Sequence, residues 1–100
     1  MIKHIILWKL KDDLAGQEKE LVMKGIKEGL EGLKGIIPGL VDINVRISCL
    51  PTSNVDVMLD STFDSEESLK AYAVHPNHVE VANCKVRPYT ETRSCMDFEV

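Results

Sequence analysis

The opening apolar run, Ile2–Leu10, constrains the fold more than any other stretch. In an extended chain successive side chains point to opposite faces. Ile2, His4, Ile6, Trp8 and Leu10 therefore share one side, and Lys3, Ile5, Leu7 and Lys9 share the other. Large apolar groups stand on both sides, so the strand needs cover on two faces and belongs inside a sheet. His4 sits in the middle of the more apolar face. An imidazole there must find a hydrogen-bond partner or line a cavity.

Five further elements follow. Leu21, Val22, Ile26, Leu30 and Leu33 recur at helical spacing, with Glu20, Lys24, Lys27, Glu31 and Lys34 opposite. That pattern predicts a helix from about Ala15 to Gly35, stopped by the Gly35-Ile36-Ile37-Pro38-Gly39 segment. Gly25, Gly29 and Gly32 form a stripe on this helix, and each costs about 1 kcal/mol relative to Ala. Such a stripe serves either close backbone packing or room for a ligand. Leu40–Cys49 alternates as a strand with Val41, Ile43, Val45 and Ile47 inward. After the turn-rich Leu50–Asn54 loop, Val55–Phe63 alternates again, and Thr90–Val100 reads as a last strand with Met96, Phe98 and Val100 on one face.

Between the last two strands lies the densest chemistry in the chain. Asp64 or Ser65 is placed to cap a helix, and Asp64 to Glu67 has the spacing of a capping box. Pro76 ends that helix and suits the first position of another, which runs to about Arg87 before Pro88. The bend draws Tyr72, His75 and His78 to one corner. His78 falls in a first helical turn, where the positive end of the dipole disfavours imidazolium. A neutral imidazole is what a general base needs near pH 7, and Tyr72 can donate to a carbonyl or enolate oxygen. The implied chemistry is proton abstraction beside a carbonyl, followed by aldol or isomerising steps. His4, Tyr72 and His78 are thus the candidate catalytic residues, with Ile6, Trp8, Gly25, Gly29, Leu30 and His75 as candidates for the pocket. His75 has plainer alternatives, capping the helix or packing beneath the bend.

The order β-α-β-β-α-β is most often solved as a ferredoxin-like α+β fold, a four-stranded antiparallel sheet with both helices on one face. One sheet face is then bare, with Ile5 and Leu7 on it, and a symmetric homodimer packing sheet on sheet would cover them. One hundred residues, 44% hydrophobic, are read as a single domain, 1–100. A net charge of −4 and a pI near 5.3 argue against nucleic-acid and anionic-membrane partners. No stretch approaches the roughly 18 apolar residues of a membrane span, and the N-terminus does not read as a signal peptide. Cys49, Cys84 and Cys95 are odd in number and lack C-x-x-C spacing. That suits free thiols in a reducing cytoplasm better than disulfides or a zinc ribbon. With no phosphate loop, dinucleotide fingerprint or metal motif, the expectation is no cofactor and no metal.

Several segments together resemble one family. The opening I-K-H-I-I-L-W-K-L-K, I-I-P-G after the long helix, D-S-T-F-D-S-E-E-S-L-K-A-Y, H-P-N-H and the closing M-D-F-E are similar to the stress-responsive A/B barrel (Dabb) domain. The resemblance covers nearly the whole chain and implies a dimeric α+β barrel. Its best-understood catalytic branch, plant polyketide cyclases of the olivetolic acid cyclase type, works by intramolecular aldol condensation. The resemblance implies that His78 matches the proton-transfer histidine, His4 the second histidine and Tyr72 the helix tyrosine. That branch carries another pocket tyrosine on the long helix, whereas residues 11–71 here contain none, which speaks against the same substrate. The alternative implied by the family is a non-catalytic, stress-associated oligomer.

Overall fold

The computed structural model describes residues 1–100. Strand β1 (Ile2–Leu10) is followed by helix α1 (Gly16–Glu31), strands β2 (Leu40–Arg46) and β3 (Val57–Phe63), helices α2 (Glu66–Val74) and α3 (Pro76–Val81), and strand β4 (Thr90–Glu99). A five-residue π-helical turn, Ala82–Val86, and a short 3-10 turn, Arg87–Tyr89, carry the chain from α3 into β4. The strands form one antiparallel sheet in the order β2-β3-β1-β4. This is the ferredoxin-like α+β arrangement, with β1 in the interior of the sheet.

Along β1 burial alternates without exception: Ile2, His4, Ile6, Trp8 and Leu10 are buried and the residues between them half-buried. The buried side meets Ile26, Leu30, Tyr72 and Val86 from the helical segments in a single core. Phe63, on β3, is fully buried in it. The other side of the sheet carries no helix. There Ile5 pairs with Met96 and Leu7 with Met58, and Met96 and Phe98 are exposed. Lys3 is held on this face by its neighbours on β3, 2.6 Å from Asp60 and donating to Thr62 Oγ1 at 2.9 Å.

Three features differ from the sequence pattern, each for a local reason. Helix α1 stops at Glu31, four residues early, because the next hydrogen bonds tighten to three-residue turns (Leu33 N–H to Leu30 O, Lys34 N–H to Glu31 O) and Gly35 then enters the left-handed region at φ +83°. The pairing of β2 with β3 ends at Arg46 and Met58 because Asp56 turns to β1 instead. Its N–H donates to Trp8 O and its carboxylate accepts from Leu10 N–H at 2.8 Å. Val41, expected inward, is 44% exposed. The register slips between Leu40 and Asp42, and this β-bulge turns both Leu40 and Ile43 into the core while pushing Val41 out.

The cap of α2 also differs from the expected D-x-x-E box. Ser65 is the N-cap and accepts from Ser68 N–H at 3.1 Å, while Asp64 accepts from the Ser68 hydroxyl. This cap is seated against Gly39. A β-carbon there would lie 2.1 Å from Ser68 Oγ, and Gly39 has φ +84°, so both space and conformation demand glycine.

The free edge of β2 is covered by α1. Glu31 accepts from Val45 N–H at 2.8 Å, and Lys27 donates to Val45 O at 2.6 Å and to Glu31 at 2.8 Å. Burial works to raise the Glu31 carboxyl, but Lys27 and the Val45 N–H outweigh it and hold it below the usual range. An edge whose donor and acceptor are both occupied cannot template another strand at that point.

Candidate functional site

The site grows from the bend between α2 and α3. Pro76 at the first position of α3 has no N–H to continue α2, and His75 takes the N-cap, its Nδ1 accepting from Asn77 N–H at 3.2 Å. The bend folds His78 back over Tyr72, with ring centroids 4.1 Å apart and planes inclined by 35°. Tyr72 in turn meets Phe63 edge-on at 4.9 Å, and His4 at 6.1 Å. Aromatic rings from β1, β3, α2 and α3 thus form one cluster.

The cluster walls a cavity of about 840 Å³ between the helices and the sheet, within the range of small-molecule sites. His4, Tyr72 and His78 all line it, as do the expected Ile6, Trp8 and Leu30. Twelve of its 21 lining residues are hydrophobic. Charges of both signs stand around it, Lys70, Arg87 and Arg93 with Glu66, Asp97 and Glu99.

Gly25, Gly29 and His75 do not line this cavity, contrary to expectation. A β-carbon on Gly29 would sit 3.0 Å from Val81 Cγ1, and one on Gly25 would meet the Lys85 side chain. At these two positions the stripe lets α1 approach the segment after the bend, which is the packing alternative. His75 is occupied as a cap.

Each polar group in the cluster has a defined proton position or a defined lack of partner. His78 Nδ1 lies 3.3 Å from Ala73 O; a carbonyl only accepts, so Nδ1 carries the hydrogen and Nε2 is the free acceptor. Burial lowers the His78 pKa, the Ala73 carbonyl pulls the other way, and the positive charges of Arg87 and Arg93 reinforce the lowering. Burial is the leading cause. The Tyr72 hydroxyl is buried and has no hydrogen-bond partner in the chain; burial pushes its pKa up, so it remains a protonated donor. His4 Nδ1 stands 2.5 Å from Asp97 Oδ1, which assigns its hydrogen to Nδ1 and again leaves Nε2 free.

Asp97 lies in the closing M-D-F-E segment, but nothing in the linear sequence ties it to His4. It reaches His4 because antiparallel pairing sets the two residues directly opposite each other on β1 and β4. The available signal was register: once β4 is aligned on β1, Asp97 shares the face of His4.

The fold and cavity define a small ferredoxin-like domain with a partly open pocket between helices and sheet. The family model for the stress responsive A/B barrel domain, Dabb, matches residues 2–100, and the chain belongs to that family. Among curated relatives, it is 33% identical over 82 residues to the stress-response A/B barrel domain-containing protein DABB1 of Arabidopsis thaliana, covering 81% of this chain and 39% of that protein. A second stress-response A/B barrel domain-containing protein from the same plant is 28% identical over 98% of this chain and 36% of its own length. The chain therefore spans less than half of the curated relatives it matches. Among solved structures, a dimeric protein of unknown function with a ferredoxin-like fold from Bacteroides fragilis superposes with a TM-score of 0.92 at 36% identity, covering 99% of this chain and 95% of that one. A hydroxynitrile lyase from Passiflora edulis shares the fold, with a TM-score of 0.72 at 17% identity, over 97% of this chain and 90% of the lyase.

Proposed function

We propose that the chain binds an apolar small molecule bearing a carbonyl group and acts on it by acid–base catalysis. The observation that carries this reading is the Tyr72 hydroxyl, buried in the cavity wall beside His78 and without a partner. A buried, unsatisfied hydroxyl costs about 1–3 kcal/mol, and a ligand oxygen would supply what it lacks.

In this scheme His78 Nε2 takes a proton from the carbon next to the carbonyl. Tyr72 donates to the oxygen as charge develops there. His4, oriented by Asp97, presents a second free Nε2 that can accept from a ligand hydroxyl, while the proton taken up by His78 is returned by His78 itself. The proton taken by one group is given back at the end, so no external reagent is needed for an isomerisation or an aldol-type ring closure. The shared fold with a hydroxynitrile lyase is compatible with such chemistry but bears on the scaffold alone.

The chain is further proposed to pair as a homodimer through the helix-free sheet face. Ile5, Leu7, Met58, Met96 and Phe98 make that face apolar, and its Bacteroides relative is dimeric. This face also favours a second reading, in which assembly is the whole function.

Screening a metabolite library by thermal shift separates the two. Under the catalytic reading, ligands that raise the melting temperature of the wild type lose that effect in His78→Ala and Tyr72→Phe. If no carbonyl compound shifts the wild type, or the variants respond equally, the assembly reading prevails.

A further inference from the structure

We propose that His4, Cys95 and Asp97 form a binding site for Zn²⁺ in the wall of the cavity. The three residues come from the two ends of the chain and meet because β1 and β4 pair with His4 opposite Asp97 and Ile6 opposite Cys95. Cys95 and Asp97, two apart on a strand, point to the same side. Their donor atoms and that of His4 all lie within 4.8 Å of one another. Sγ of Cys95 is 3.7 Å from His4 Nδ1 and 3.5 Å from Asp97 Oδ1.

Those two separations are the lengths that coordination requires. Zinc sits about 2.3 Å from sulfur and about 2.0–2.1 Å from nitrogen or oxygen, and tetrahedral angles then place sulfur roughly 3.6 Å from either. Only the third edge is short. His4 Nδ1 and Asp97 Oδ1 are 2.5 Å apart, because a proton lies between them, where a tetrahedral metal needs about 3.3 Å. Exchanging that proton for the ion asks Asp97 to withdraw by about 0.8 Å. Its side chain is 45% exposed on the outermost strand of the sheet, so it has room to do so. His4 is the fixed member, buried and hemmed by Phe63 and Tyr72.

The donor set selects the metal. One thiolate, one imidazole and one carboxylate suit zinc, whereas Mg²⁺ and Ca²⁺ prefer oxygen alone. Three protein ligands on a cavity wall leave a fourth position facing the cavity, the arrangement of zinc sites that hold water or substrate. The thiolate and carboxylate balance the charge of the ion; Arg93 and Glu99, on the same face of β4, oppose one another. The ion would leave Tyr72 and His78 as they are, but with Nδ1 on the metal the His4 hydrogen moves to Nε2, so His4 would donate to the cavity where the metal-free ring accepts.

The test is a titration of the reduced full chain with Co²⁺, which reports thiolate ligation by a charge-transfer band and four-coordination by visible ligand-field bands. The expected result is saturation at one ion per chain, displacement of Co²⁺ by Zn²⁺, and loss of the charge-transfer band in Cys95→Ser. Asp97→Asn is expected to weaken binding by at least the roughly 10- to 100-fold that even an outer-shell change costs. Both positions are exposed, so both variants should fold. The absence of saturable binding would overturn the proposal. So would a charge-transfer band that survives in Cys95→Ser, which would assign the metal to Cys49 or Cys84.

Discussion

The Tyr72 ring lies 4.1 Å from the His78 ring, centroid to centroid, while its hydroxyl finds no partner anywhere in the chain. The aromatic body and the polar tip of this residue therefore have separate roles. The ring holds the core together, and the hydroxyl is held in readiness.

Removing only the tip separates them. Tyr72→Phe keeps the packing with Phe63 and His78 and removes a buried group whose unmet hydrogen bond costs about 1–3 kcal/mol. The melting temperature is expected to hold or rise, with 1 kcal/mol corresponding to roughly 4–8 °C in a domain of this size. A fall of that size would show that the hydroxyl already has a stabilising partner.

The His78 imidazole should titrate below the roughly 6.5 of an unperturbed histidine, since burial disfavours its charged form. The sign for stability follows from linkage. Between the two values the unfolded chain binds the extra proton and the folded chain does not, so stability rises with pH through that window. The contribution is complete above the unfolded value and is lost as pH falls toward the folded one. A titration of the His78 ring resonances by NMR checks this, and a midpoint at or above the free value would contradict it.

Glu31 gives a second pH dependence, in a more acidic window and tied to the edge of the sheet. Its carboxyl is held low despite burial, by Lys27 and the Val45 N–H. The stability it brings is present above its unfolded pKa and disappears as acid takes the pH through the lowered folded value. Glu31→Ala leaves Val45 N–H unpaired and is expected to cost about 1–2 kcal/mol, measured by urea denaturation at neutral pH. The gap between variant and wild type should shrink in acid.

Two glycines with nearly the same backbone angle should respond very differently to Ala. Gly35 (φ +83°) has open space around it, so Gly35→Ala should cost only the left-handed penalty of about 1–2 kcal/mol. Gly39 (φ +84°) faces Ser68 and Asp64 in the capping cluster, so Gly39→Ala adds a clash and should lose several kcal/mol or fail to fold. Equal melting temperatures for the two variants would remove the argument from crowding.

Local chemistry made much of this architecture legible. The alternation of Ile2–Leu10 placed β1 and its buried face, and Pro76 located the bend that stacks His78 on Tyr72. What escaped was set by partners distant in the chain. Val41 turns outward because of a bulge defined by pairing with β3, and nothing in L-V-D-I-N-V marks it. Asp97 and Cys95 reach His4 only through the register of the first and last strands. The glycine stripe had two readings that only the neighbouring Val81 and Lys85 side chains separate, and no spacing rule separates a π-helical turn from an α-helical one in Ala82–Val86. The candidate site was thus legible on its helical side and hidden on its β4 side.

A charge placed on the helix-free face, as Leu7→Asp, is expected to convert a dimer to a monomer in light scattering without unfolding it, because Leu7 is only half-buried. A wild type that is already monomeric at micromolar concentration would remove the pairing proposal.

The alternation of β4 gives that experiment a second reading. Met96 points away from the helices, and its chain neighbours Cys95 and Asp97 point toward them, so a single peptide unit separates two opposite surfaces. Whatever clamps Met96 from outside also steadies the wall behind it. The grip of the hollow on a guest should consequently tighten as the solution is made more concentrated, and dilution alone should loosen it.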